Sequence, residues 1–115
     1  MPDIDPNLPS RIQQLSAPEL KAMIDSGTAF EFVDVRTPHE RELACIVGTR
    51  LLDQTYLDHL LTLDRDTPIV FQCHHGMRSQ SAAEFCLGHG FRNLYNLRGG
   101  IDAWSRTVDP SVPLY

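Results

Sequence analysis

Apolar positions change their spacing several times along this chain. After Ser16-Ala17-Pro18-Glu19, a capping box with Ser16 as cap and Glu19 three residues on, Leu20, Met23 and Ile24 follow at helical spacing, and Gly27 supplies a stop. Phe30-Glu31-Phe32-Val33-Asp34-Val35 is aromatic and β-branched and predicts a short strand. Thr37-Pro38-His39-Glu40 reads as a turn opening a short helix, with Pro38 in its first turn. Ile46-Val47 and Leu51-Leu52 bracket Gly48 and predict a further strand, and Tyr56, Leu57, Leu60, Leu61 and Leu63 a small helix.

Beyond the turn Asp64-Arg65-Asp66-Thr67-Pro68 comes Ile69-Val70-Phe71, an uninterrupted apolar run of the kind buried on both faces of a parallel sheet. A helix is predicted over 79–87, with Ala82, Ala83 and Cys86 on one face and Gly88 and Gly90 ending it. Residues 93–97 predict another strand, and Gly99-Gly100 opens a helix carrying Ile101, Ala103 and Trp104. Strands alternating with short helices predict an α/β domain with a mainly parallel central sheet flanked by helices. An extended N-terminal arm over 1–10, one domain over 11–107 and an irregular C-terminal tail over 108–115 complete the layout.

Composition narrows the function classes. The 115 residues are 42% hydrophobic, enough for one core, and the net charge of −5 comes without any basic run. Nucleic acid and anionic membrane surfaces, which draw on basic patches, are therefore not expected partners. No apolar run approaches the roughly 20 residues of a membrane span, and the polar, acidic start does not read as a signal peptide. Three cysteines, Cys45, Cys73 and Cys86, make an odd count without disulfide-framework spacing, so free thiols in the cytoplasm are expected.

The candidate chemistry lies where the apolar strand ends, in Cys73-His74-His75-Gly76-Met77-Arg78. Ligands of open parallel sheets bind beyond the carboxyl ends of strands, and Cys73 stands at such an end. Gly76 lets the loop curl with its amides turned inward, and Ser79 is placed to cap the helix that follows. The helix N-terminus and the fixed charge of Arg78 favour a thiolate, and the same groups suit an anion carried on the attacked sulfur. Cys86, on a helical face, reads as a small buried hydrophobe, and Cys45, without basic or glycine-rich neighbours, as structural. His74 and His75 read either as the lining of the pocket mouth or as an inert exposed pair. Adjacent ligands seldom aim at one ion and no second cluster is evident, so no metal is expected, nor any other cofactor.

Three segments, "FVDVRTPHERELACIVGTRLLD", "IVFQCHHGMRSQSAA" and "GFRNLYNLRGGIDAW", resemble in order the rhodanese-like domain family, as a small single-domain sulfurtransferase. The resemblance implies that Cys73 takes a sulfane sulfur from thiosulfate or a persulfide, and that a thiol or cyanide acceptor removes it. His74, His75, Gly76, Met77 and Arg78 would then cradle the persulfide, with Arg78 holding anionic substrate. Asp34, Arg36 and Glu40 match the family's charged cluster and read as a salt-bridged brace behind the site. Cys45-Ile46-Val47-Gly48-Thr49 departs from the family's His-Ile-Pro-Gly-Ala turn, and His74-His75 stands where an added cation is common. The second departure shifts the expected donor toward a neutral or protein-bound persulfide. A protein-to-protein persulfide carrier shares every one of these assignments. A phosphatase or arsenate reductase-like enzyme is a further alternative, although four residues separate Cys73 from Arg78 and phosphatase loops space them one wider. The remaining alternative is a non-catalytic binding domain.

Overall fold

The computed structural model describes residues 12–115, so the arm expected over 1–10 lies outside the described residues. Five strands, β1 (Ile12–Leu15), β2 (Glu31–Asp34), β3 (Arg50–Leu51), β4 (Ile69–Gln72) and β5 (Leu94–Leu97), pair throughout in parallel. Their order across the sheet is β1-β5-β4-β2-β3. The helices are α1 (Ala17–Asp25), α2 (Pro38–Leu43), α3 (Gln54–Leu60), α4 (Met77–Gly88) and α5 (Gly100–Thr107).

Alternation along the strands divides the core into two layers. Val33, Ile69, Phe71 and Leu94 pack with Tyr56 of α3 and with Ala83 and Cys86 of α4. Phe32, Val70 and Leu97 point the other way, onto Ala17 and Leu20 of α1, Ile101 and Trp104 of α5, and Val112 of the tail. Every residue of β4 is buried, because helices cover both faces of the central strand.

Three expectations change. The strand β1 is unmarked in the sequence because Ile-Gln-Gln-Leu is short and half polar; at the sheet edge its two glutamines stay exposed. The strand expected around Gly48 shrinks to Arg50–Leu51, and Val47 is left 93% exposed. Finally, α4 begins at Met77 with Gly76 as its N-cap, so Ser79 does not cap it but sits inside the first turn. No helix among the described residues is long and apolar enough to cross a membrane.

Candidate active site

Cys73 leaves the carboxyl end of β4 and turns its sulfur under the N-terminus of α4. Gly76 takes φ +104°, which lets the loop double back; its amide donates to Cys73 Sγ at 3.1 Å. The Ser79 amide donates at 3.4 Å, and the Ser79 hydroxyl lies 3.3 Å from the sulfur. The thiol is almost wholly buried. Burial alone would push its pKa up; the Ser79 hydroxyl and the amides of Ser79, Gly76 and Arg78 outweigh burial and bring it below the ordinary cysteine value. Cys86 shows the opposite case, with burial pushing its thiol up to about 11.

A second set of amides holds the loop from behind. Ile101 N–H donates to the Cys73 carbonyl at 2.8 Å and Asp102 N–H to the His74 carbonyl at 3.2 Å. That approach requires glycine at position 100, because a Cβ there would collide with both carbonyls. Beside the cysteine, Gln72 is fully buried and its side-chain amide has no hydrogen-bond partner among the described residues.

Asp34 and Arg36 meet behind the loop as a buried bidentate pair, Nε to Oδ1 and Nη2 to Oδ2, both at 2.8 Å. Arg36 also donates to the carbonyls of Ala44 (2.7 Å) and Glu40 (3.3 Å) and to the Tyr115 hydroxyl (3.0 Å). All five of its N–H groups thus have acceptors. Arg41 joins from α2, donating to Asp34 Oδ2 at 2.9 Å. Burial works against the Arg36 charge, but Asp34 and Tyr115 more than offset it and raise the pKa of the guanidinium.

The Glu40 carboxylate stands apart from that pair and faces Arg78. Arg78 Nη1 and Nη2 donate to its two oxygens at 2.7 and 2.8 Å. The arginine expected to greet an anionic substrate therefore has two of its donors engaged and its charge matched. The Tyr115 hydroxyl donates to Glu40 Oε2 at 2.8 Å, and its ring stacks on His74 with centroids 4.0 Å apart. His74 in turn stacks on His75 at 3.9 Å. Asp102 of α5 brings a carboxylate oxygen to these rings, that oxygen and one nitrogen of each ring lying within 4.8 Å of one another. An acidic group from a second segment thus reaches the histidines; it is paired with Arg106 at 3.0 Å.

Cys73, His74, His75, Met77 and Arg78 line a cleft of about 210 Å³. That is below the range of drug-sized pockets and suits a small donor or the tip of a larger one. Sequence reasoning missed Ser79 as a partner of the sulfur, and missed Asn96, Arg41 and Tyr115 altogether. Asn96, whose Oδ1 accepts the Ser79 hydroxyl, did carry a signal: it is a polar residue between Tyr95 and Leu97 in a stretch that predicts a strand. Tyr115 carried none.

The rhodanese-like domain family model matches residues 16–107. The chain is 35% identical over 99 residues to the thiosulfate sulfurtransferase GlpE of Ectopseudomonas mendocina, spanning 85% of this chain and 89% of that protein. It is 38% identical over 92 residues to the thiosulfate sulfurtransferase GlpE of Stutzerimonas stutzeri, spanning 79% and 83%. A solved rhodanese-like domain protein from Staphylococcus aureus superposes with a TM-score of 0.72 at 25% identity, over 90% of this chain and 99% of that one. With the family match running from α1 to the end of α5, the chain belongs to the rhodanese-like domain family and is a small sulfurtransferase of the rhodanese type.

Proposed function

We propose that this chain moves a sulfane sulfur from thiosulfate or a persulfide to a thiol or cyanide acceptor through a persulfide on Cys73. The observation that carries this reading is the buried Cys73 sulfur facing the Gly76 and Ser79 amides at the start of α4. The Cys73 thiolate attacks the outer sulfur of the donor. With thiosulfate the sulfur–sulfur bond breaks, its electron pair leaves on sulfite, and Cys73 carries the new persulfide. A thiolate or cyanide then attacks the outer sulfur and departs as a persulfide or thiocyanate, returning the Cys73 thiolate. The electrons balance without an oxidant or a cofactor. His74, His75, Gly76, Met77 and Arg78 form the cradle, with the Asp34, Arg36 and Glu40 side chains as its support. The short Cys73-to-Arg78 spacing suits one sulfur atom better than a tetrahedral phosphate. Free thiols at Cys45, Cys73 and Cys86 support work in a reducing compartment such as the cytoplasm.

The Glu40 carboxylate on Arg78 bears on the donor. A matched cation attracts a dianion less than a free one, so donors of low charge gain relative to thiosulfate. Met77, apolar and 81% exposed at the cleft, favours a second reading in which the donor is a protein persulfide.

Steady-state kinetics test the proposal. Parallel lines in double-reciprocal plots of thiosulfate against cyanide, with sulfite released before acceptor is added, are expected of a sulfur-loaded intermediate. Intersecting lines with no sulfite released before acceptor would overturn it. Loading by a protein persulfide with none by thiosulfate would select the carrier reading.

A further inference from the structure

Ser79 Oγ has one proton and two neighbours that compete for it. It lies 2.5 Å from Asn96 Oδ1 and 3.3 Å from Cys73 Sγ. The orientation of the Asn96 amide follows from its other end, where Nδ2 donates to the Gly76 carbonyl at 3.1 Å and to Gln14 Oε1 at 2.9 Å. The end facing Ser79 is therefore the carbonyl oxygen, which only accepts. The hydroxyl proton lies on the Asn96 side, and Ser79 turns a lone pair toward the sulfur, ready to accept the thiol proton. When Cys73 ionises, that lone pair faces a thiolate. The hydroxyl can serve the thiolate only by rotating, which strips the buried Asn96 oxygen of its donor.

We propose that Asn96 is a positioning residue for the sulfur site: it holds the Ser79 proton away from Cys73 and so tempers how readily the thiol ionises. The proposal rests on Cys73 being the sulfur-carrying thiol. The hydroxyl then follows the sulfur through the cycle. It points to Cys73 when the thiolate is free, and returns to Asn96 when charge has moved to the outer sulfur of the persulfide. Tempering has a chemical use, because a thiolate of very low pKa loses nucleophilicity, and the best attacking thiol has a pKa near ambient pH.

The other charged or titratable groups at the loop are Arg78 with Glu40 from α2 upon it, His74 and His75, Tyr115 from the tail against Glu40 and His74, and Asp102 from α5 against the two histidines. Neither Ser79 nor Asn96 carries charge, so replacing either by an apolar residue leaves that electrostatic setting as it is.

The test is the pH dependence of Cys73 alkylation by iodoacetamide, read at the Cys73 peptide by mass spectrometry. Ser79→Ala is expected to raise the midpoint. Asn96→Leu is expected to lower it by about half a unit to one unit, the size of one hydrogen bond. In the Ser79→Ala background, Asn96→Leu is expected to do nothing further, since its effect passes through the hydroxyl. Ser79→Thr should restore the parental midpoint. An upward shift in Asn96→Leu, or the same shift with and without Ser79, would overturn the proposal and make Asn96 a brace for the Gly76 carbonyl. Asn96→Val, a strand former of smaller volume, serves the same comparison if the leucine variant does not fold. Alkylation needs no sulfur donor, so this result and the result for sulfur transfer are read independently.

Discussion

Glu40 holds Arg78 with both carboxylate oxygens, at 2.7 and 2.8 Å, across 38 residues of sequence. The same side chain accepts the Thr37 backbone N–H at 3.1 Å, closing the capping box of α2, and accepts the Tyr115 hydroxyl. One carboxylate thus ties the start of α2, the cysteine loop and Tyr115 together. Arg78 lowers the pKa of Glu40 well below the ordinary range; burial opposes it, and the Thr37 amide and Tyr115 add to the lowering.

Removing that charge should change donor preference. Glu40→Gln leaves Arg78 with an unmatched positive charge beside the cleft. The expected outcome is a kcat/KM for thiosulfate raised about fivefold, about 1 kcal/mol, with a neutral alkyl persulfide unaffected. Equal changes for both donors would show that Glu40 acts on loop geometry instead.

Glu40 also sets an acid limit on stability. A carboxyl whose folded pKa is depressed adds stability that is fully present above its ordinary value of 4.5 and is lost as pH falls toward the depressed value. Urea denaturation below pH 4.5 should therefore show a shallower fall in stability for Glu40→Gln than for the parent chain. Identical acid slopes would mean the Arg78 pair is not formed in solution.

Removing the Arg36 side chain should be costly, because it breaks a fully buried ion pair with Asp34. Arg36→Met keeps much of the volume but leaves the fully buried Asp34 carboxylate with Arg41 alone. Destabilisation of about 3–5 kcal/mol is expected from breaking a buried pair, measured as a lower denaturant midpoint at unchanged slope. A loss under about 1 kcal/mol would place the pair among those that contribute little.

Gly100 separates backbone strain from collision. Its φ of +62° is strained for alanine, and the added methyl would strike the Cys73 and His74 carbonyls. Gly27, at φ +78° with open space around it, shares only the strain, about 1–3 kcal/mol. Gly100→Ala is expected to lose sulfur loading and more stability than Gly27→Ala. Matching stabilities with intact loading would show that the loop yields without consequence.

The parts legible in the sequence are those governed by local rules. Ser16 with Glu19 forms the capping box its spacing predicts, and the turn Thr37-Pro38-His39-Glu40 opens a short helix as expected, closing a second capping box there. The run Ile69-Val70-Phe71 is apolar because it is covered on both sides, which makes it visible without context. Local rules fail where an outside partner decides. Ser79 looks like a cap until Gly76 takes that place in a left-handed conformation and α4 starts earlier. Arg78 looks like a free cation until Glu40 arrives from α2. Tyr115 lies in a tail without helix or strand, and its bonds to Glu40 and Arg36 span 75 and 79 residues. Its place comes from Val112 packing into the core and carrying the chain's end toward the loop.

Whether Cys73 carries the sulfur is decided by intact-protein mass spectrometry after incubation with thiosulfate, with Cys73→Ser alongside. The expected result is a gain of one sulfur atom that dithiothreitol removes, present in the parent chain and absent in the variant. The same gain in Cys73→Ser would place the sulfur on another thiol and overturn the assignment to Cys73.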